Sequence, residues 1–296
     1  MSIPPAVLGG LPTNSVDTPI CAVLMVCFLA GAVTHMRIFR GNISQHGRRF
    51  VPSAMTFGFC MARLTALSMR IAWANHPHSS GTRIAAIVLT AAGVVLLFVL
   101  NLIYAYRVFL GYQQLTRPRL VGALFWALRF SIFSIVAMII SVIVTTIISF
   151  NTTNPSLLLK CRNAQRTGAT FFAVLSFVPL PLSLLAVTLP HPAGIKSFGF
   201  GSATIRRKLA VVVAAATILC LGASFRAGTS FKPRPGTNPA WYHHKACYYV
   251  FNFVLELMVV ALYAIARVDR LFYMEEEKKL TGNESNEALE KAERRP

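Results

Sequence analysis

Acid is the scarcest thing in this sequence. Ten Asp and Glu stand among 296 residues, and nine of them fall at or after Glu256, so the first 255 residues hold one carboxylate, Asp17, against 22 Lys and Arg. Charge of either sign is sparse as well: 13% of residues, against about 25% in soluble domains, while 55% are hydrophobic and mean hydropathy is +0.57. That combination excludes an ordinary soluble domain, because no core of this size could absorb so much apolar surface. Other absences narrow the chemistry. There is no Cys-x-x-Cys and no Cys/His spacing of the zinc type. His76, His78, His243 and His244 come without the acid or thiolate pattern that a metal and its activated water need. Neither a Ser/His/acid set nor a glycine-rich phosphate loop is present. The expectation is a protein with no catalytic residues, no metal and no cofactor.

What the sequence does have is long apolar runs. A helix needs roughly 20 mostly apolar residues to cross a bilayer, and seven stretches qualify: 18–38, 51–73, 84–106, 130–150, 170–189, 209–225 and 246–266. Pro179 and Pro181 predict a kink in the fifth. The fold class is therefore an all-α, polytopic seven-helix bundle. It has a short N-tail (1–17), a transmembrane domain (18–267) and a polar tail (268–296) with too little apolar surface to fold alone.

The net charge of +19 would suggest nucleic acid in a soluble chain. Its distribution gives another reading. With the N-terminus outside, 18 of the 29 bases fall in cytoplasmic segments, eight in external ones, and three (Arg63, Arg70, Arg129) inside helices. The positive-inside rule then favours N-out and C-in, and basic loops beside anionic lipid headgroups account for the charge without nucleic acid.

Ionisable groups at mid-membrane cost several kcal/mol unless paired, so each marks a candidate site. Glu256 is the sole acid within a span. Arg63 lies 12 residues from Val51 and Glu256 lies 10 from Ala266, roughly 18 and 15 Å from the same face of the membrane. Matching depth predicts an Arg63–Glu256 ion pair between the second and seventh helices. Ala54, Gly58, Ala62 and Ala66 form a small-residue stripe where a neighbour could approach. Asn252 and Glu256 share a helix face. Arg70, Asn252 and the external-mouth residues Arg226, Trp241, Tyr242, His243 and His244 extend a polar track outward as candidate ligand-binding residues. Three intramembrane arginines face one carboxylate, so a guanidinium, Arg70 first, is left for an anion, water or snorkelling to the interface. Arg129 is expected to snorkel.

Topology leaves Asn151 as the one N-x-S/T acceptor, of Asn42, Asn151 and Asn283, on the outer side. Cys161 and Cys247 also fall outside and form a candidate disulfide, with two separate thiols as the alternative.

The end of the first helix (AGAVTHMRIFRGN), the second (GFCMARL to MRIAWA) and above all the run from FRAG through WYHHKACYYVFNFVLELMVVALYAIARVDRLFY resemble an uncharacterised family of fungal seven-helix membrane proteins. The layout is similar, more distantly, to RTA-like lipid-translocating exporters. That likeness implies handling of a lipid or amphiphile by analogy. The expected function is non-enzymatic binding or translocation of an anionic amphiphile or lipid between helices 2, 6 and 7. The alternatives are a receptor-like sensor, or a structural membrane protein. Expected partners are membrane lipids and a small amphiphile or anionic ligand, with no nucleic acid.

Overall fold

A computed structural model of the chain describes residues 6–47, 49–113, 118–189 and 205–273. It is all-α, with no strand among the described residues. Helix α1 runs Asp17–His46, α2 Val51–Asn75, α3 Ser80–Gly93, α4 Val95–Gln113, α5 Pro118–Asn151, α6 Pro155–Phe177, α7 Pro179–Thr188 and α8 Ile205–Phe231. A 3₁₀ turn at Trp241–His243 leads to α9 (Lys245–Tyr249). A π turn (Val250–Val254) continues α9 into α10 (Leu255–Ala266), and α11 (Val268–Leu271) follows.

Six helical stretches are long and apolar enough to cross a membrane: Asp17–Gln45, Ser80–Gly111, Arg119–Asn151, Pro155–Thr188, Ile205–Phe231 and Lys245–Ala266. This is the pattern of a multi-pass membrane protein. α2 is not among the six, although it has 25 residues; Arg63 and Arg70 both lie on it.

Local chemistry sets several boundaries. Gly47 ends α1 at φ 59°, returning its N–H to Asn42 and Ile43, a left-handed stop that Gly adopts without strain. Ser79 caps α3 and Asn154 caps α6 through side-chain oxygens, with Pro155 at the first helical position. The proline pair interrupts the α6–α7 rod at Val178, where the sequence placed its kink. Two helices begin earlier than the apolar runs suggest, α5 at Pro118 and α6 at Pro155, because polar turns near a membrane surface still propagate a helix.

α3–α4 form the middle of the bundle and α5 its rim: 61% of the apolar stretch of the first is buried and 11% of the second. Trp126, Phe130 and Phe133 of α5 face outward at 69–74% exposure. Arg129 lies among them, its guanidinium over the Phe125 and Trp126 rings. α2 packs against α1 and α3, α6 against α5 and α8, and α10 against α1 and α8. Below the break at Val94, α4 packs on α7 and α8; above it, α3 turns to α2 and α5.

Three expectations are corrected. Of the two alternatives for Cys161 and Cys247 the disulfide falls away: both are free thiols, Cys161 is buried within α6 rather than in a loop, and the Cys247 sulfur lies 3.8 Å from the Trp241 carbonyl. Of the small-residue stripe only Ala66 lies on the buried face of α2, and Ala54, Gly58 and Ala62 are half-buried beside it. A Cβ on Gly58 would meet nothing within 4 Å, and the buried face is Phe59, Cys60, Arg63, Ala66, Leu67 and Arg70. Nor does the polar tail begin at 268. Val268, Leu271, Phe272 and Tyr273 are buried under the bundle, where Phe272 stacks on Tyr104 at 4.7 Å and its carbonyl accepts from Arg107. Residues beyond 273, with Asn283, lie outside the described residues. Asn151 is the exposed last residue of α5, its amide bonded to the Ile147 carbonyl.

Candidate functional site

Two buried ion clusters occupy the half of the bundle where α1 begins. The deeper one is centred on Glu256. Arg63 Nη2 donates to Oε1 at 2.7 Å, and Nε lies 2.6 Å from Oε2, an ion-pair contact whose angle is poor for a hydrogen bond. Arg63 and Glu256 are 0% and 2% exposed. The second nitrogen, Nη1, donates to the carbonyls of Thr90 at 2.8 Å and Leu89 at 3.3 Å.

The break between α3 and α4 makes this arrangement possible. The last carbonyls of a helix lack intrahelical donors, and a guanidinium can take them. Gly93 leaves the room: a Cβ there would come within 3.0 Å of Arg63 Cζ and Nη1. Phe59 and Phe253 flank the guanidinium at 5.4 and 5.3 Å, cation–π contacts that offset part of its lost hydration.

Arg226 of α8 is the second cation on Glu256. Its Nη1 lies 3.4 Å from Oε1 and 3.4 Å from Asn252 Oδ1. The π turn helps to aim these groups. Insertion of an extra residue widens the inward face of the α9–α10 rod, so that Tyr248, Tyr249, Asn252, Phe253 and Glu256 are all buried. Asn252 Nδ2 is held by the Tyr248 carbonyl, which turns Oδ1 toward Arg226. α8 approaches closely at Gly222, where a Cβ would meet the Phe251 carbonyl at 3.0 Å, and Phe225 stacks on Phe251 at 3.9 Å.

The second cluster is centred on Asp17, fully buried at the start of α1. Oδ1 accepts from Arg70 Nε and Nη2 (3.2 and 3.1 Å) and from Tyr249 OH (2.7 Å). Oδ2 accepts from the Thr13 N–H at 2.8 Å and from Lys245 Nζ. A carboxylate offers about four lone-pair sites, and these are taken. Arg70 Nη2 also donates to the carbonyls of Gly9 and Gly10 at 3.0 and 3.2 Å, and its guanidinium lies over Tyr248 and Trp73 at 4.6 and 5.1 Å. The anion expected for Arg70 is therefore Asp17, a residue the sequence assigned to the N-tail.

That tail is built into the site. Ala6 N–H donates to the Arg234 carbonyl and Gly9 N–H to the His243 carbonyl. Gly9 (φ +78°) packs so closely on Tyr248 that a Cβ would come within 2.6 Å of the ring. Trp241, Tyr242, His243 and His244 do not line the cavity between the clusters; they form the loop that anchors this segment. Trp241 is 74% exposed, Tyr242 OH donates to the Lys232 carbonyl, and His244 Nδ1 caps α9. Burial, aided by the Arg234 charge, holds His243 below the usual imidazole range.

Between the clusters, among α2, α3, α8 and the α9–α10 rod, lies a cavity of about 170 Å³. Arg70, Arg226, Asn252, Trp73 and Tyr248 supply its polar and aromatic wall, and Val7, Leu8, Ala86, Ile87 and Ala91 its apolar one. Of the charged groups, Arg70 and Arg226 line it; the two ion clusters they belong to hold four cations (Arg63, Arg70, Arg226, Lys245) and two carboxylates (Asp17, Glu256), an excess of two positive charges. Among the described residues no three His, Cys, Asp or Glu side chains gather as metal ligands.

Residues 200–273 match the family described as a protein of unknown function, DUF3112. No curated protein and no solved structure matches the chain. The matched stretch carries Arg226, Lys245, Tyr248, Tyr249, Asn252 and Glu256. Their partners Asp17, Arg63 and Arg70 lie outside it, so the site is assembled from the matched region and the first two helices.

Proposed function

We propose that the protein crosses the membrane seven times, α2 being the seventh crossing, with the start of α1 outside and α11 in the cytoplasm. It works without catalysis, binding and translocating an anionic amphiphile or lipid between α2, α8 and the α9–α10 rod. The observation that carries this reading is Arg226, which shares one carboxylate with Arg63 through contacts of 3.4 Å and stands 18% exposed at the wall of a cavity with surplus positive charge. An under-neutralised guanidinium in a low-dielectric site attracts an anion. The apolar wall opposite it suits an attached chain, in keeping with the resemblance to lipid-translocating exporters. The bases that flank the opposite end support the orientation.

Trp73 lines the cavity and can report occupancy once Trp126 and Trp241 are replaced by Phe. Oleate should change its emission saturably, an uncharged alcohol of equal length should not, and Arg226→Gln should weaken binding about tenfold or more, the loss of a charged hydrogen bond. An unchanged emission with oleate and with anionic phospholipid sinks the reading. Flux in proteoliposomes separates translocation from the receptor-like alternative, which predicts binding and loop movement without flux.

A further inference from the structure

The surplus charge and the unused donors around the cavity say which anion fits. Arg70 commits Nε and Nη2 to Asp17 and the Gly9 and Gly10 carbonyls, and Arg226 commits Nη1 to Glu256 and Asn252. Among the described residues, Arg70 Nη1 and Arg226 Nε and Nη2 have no acceptor. These donors come from two guanidiniums on different helices, α2 and α8, that line one cavity. A planar carboxylate is satisfied by a single guanidinium fork. An acceptor that takes the Arg226 fork and also a single N–H from Arg70 Nη1 on another helix needs oxygens pointing in several directions, as a phosphate has. The charge agrees: two positive charges are surplus, and a phosphomonoester carries about −1.5 to −2 at neutral pH, whereas a carboxylate or a phosphodiester carries one. Ile87, Ala91, Val7 and Leu8 leave the rest of the cavity apolar.

We infer that the cavity binds the phosphate of a phosphomonoester, with Arg226 and Arg70 clamping it from two sides and an acyl chain lying on the α3 wall. The inference rests on the anion-binding reading above and names its ligand class. The phosphate could belong to a lipid or to a water-soluble ester, so the test carries both.

The full chain in detergent micelles is titrated with oleoyl lysophosphatidic acid, oleoyl lysophosphatidylglycerol, oleoyl lysophosphatidylcholine, oleate and glycerol 3-phosphate, with Trp73 emission and native mass spectrometry as readouts. The phosphomonoester lipid should bind about tenfold or more tightly than the phosphodiester and oleate, and the zwitterionic lipid least. Arg226→Gln should remove that preference. Ala91→Phe, which fills the apolar wall and changes no charge, should weaken every lipid while sparing glycerol 3-phosphate. Glycerol 3-phosphate binding as tightly as the lipid supports the same phosphate chemistry with a water-soluble source. Oleate or the phosphodiester binding as tightly as the phosphomonoester overturns the ligand class and leaves the anion reading standing. Failure of every anion overturns both.

Discussion

Removing Glu256 leaves two guanidiniums, Arg63 and Arg226, without a carboxylate, whereas removing Arg63 leaves Glu256 with Arg226 still 3.4 Å away. The two halves of the pair are therefore unequal. Breaking a buried pair costs about 3–5 kcal/mol through the charge left behind. Glu256→Gln should reach that range, and Arg63→Gln should cost about half as much; equal losses in thermal unfolding in micelles would show that Arg226 takes no part. Gly93→Ala tests the room made for Arg63, because a Cβ at 3.0 Å from the guanidinium must move it. The expected loss is about 1–3 kcal/mol. It should be smaller in an Arg63→Ala background, a coupling that a double-mutant cycle reads directly. At this scale the sequence was legible where scarcity pointed: one acid in a span and an arginine at equal depth define a pair. Asp17 was just as scarce, but its partners Tyr249 and Lys245 lie more than 220 residues away in the chain, and no local pattern joins them.

Among the elements, two irregularities position the site. The break at Val94 frees carbonyls for Arg63, and the π turn widens the face that carries Asn252 and Glu256. Deleting Val250 would convert the π turn to α-helix and rotate Tyr249 and Lys245 about 100° away from Asp17 relative to Glu256. That variant should lose ligand binding and stability together, and unchanged unfolding would mean that the turn is incidental. At the other end, α11 is tied by Asp269, which accepts from Arg267 (Nε and Nη2, both 3.0 Å) and from Asn42 (3.0 Å). Burial would raise the Asp269 carboxyl, but the bonds from Arg267 and Asn42 outweigh it and hold it below the usual range. A depressed carboxyl contributes stability in full above its unfolded value of about 3.9 and loses it as pH falls through the folded value. Asp269→Asn should therefore lower the melting temperature at neutral pH and flatten its fall below about pH 4. An acid limb identical to that of the parent chain would contradict this. Helix positions were readable from hydropathy, and Pro179 marked the α6–α7 break. The break at Val94 was not, since Ala92-Gly93-Val94 sits in an apolar run with no proline.

For the whole molecule, the orientation can be tested without knowing the ligand. In a cysteine-free chain, a cysteine at the exposed Thr237 should react with an impermeant maleimide in intact cells, and one at the exposed Ser44 only after permeabilisation. The reverse pattern would invert the topology. The bundle also explains where its free energy lies. Between helices in lipid there is little hydrophobic gain, so packing and buried polar contacts carry association. The two ion clusters link α1, α2, α8 and the α9–α10 rod, while α5, apolar and outward-facing, contributes no charged contact to either.

What the sequence alone determined is what composition and periodicity can encode: an all-α chain, its long apolar helices, and an acid-poor interior in which the buried Glu256 calls for a cation. Those follow from the cost of placing charge and backbone in lipid, which acts on each segment separately. The tertiary structure decided which groups share a space. It put Asp17 on Arg70, left Arg226 only partly neutralised, folded Ala6–Gly10 over the cavity and kept Trp241–His244 outside it. The physical reason is that these contacts join residues far apart in the chain, and which of them meet is set by how the helices pack.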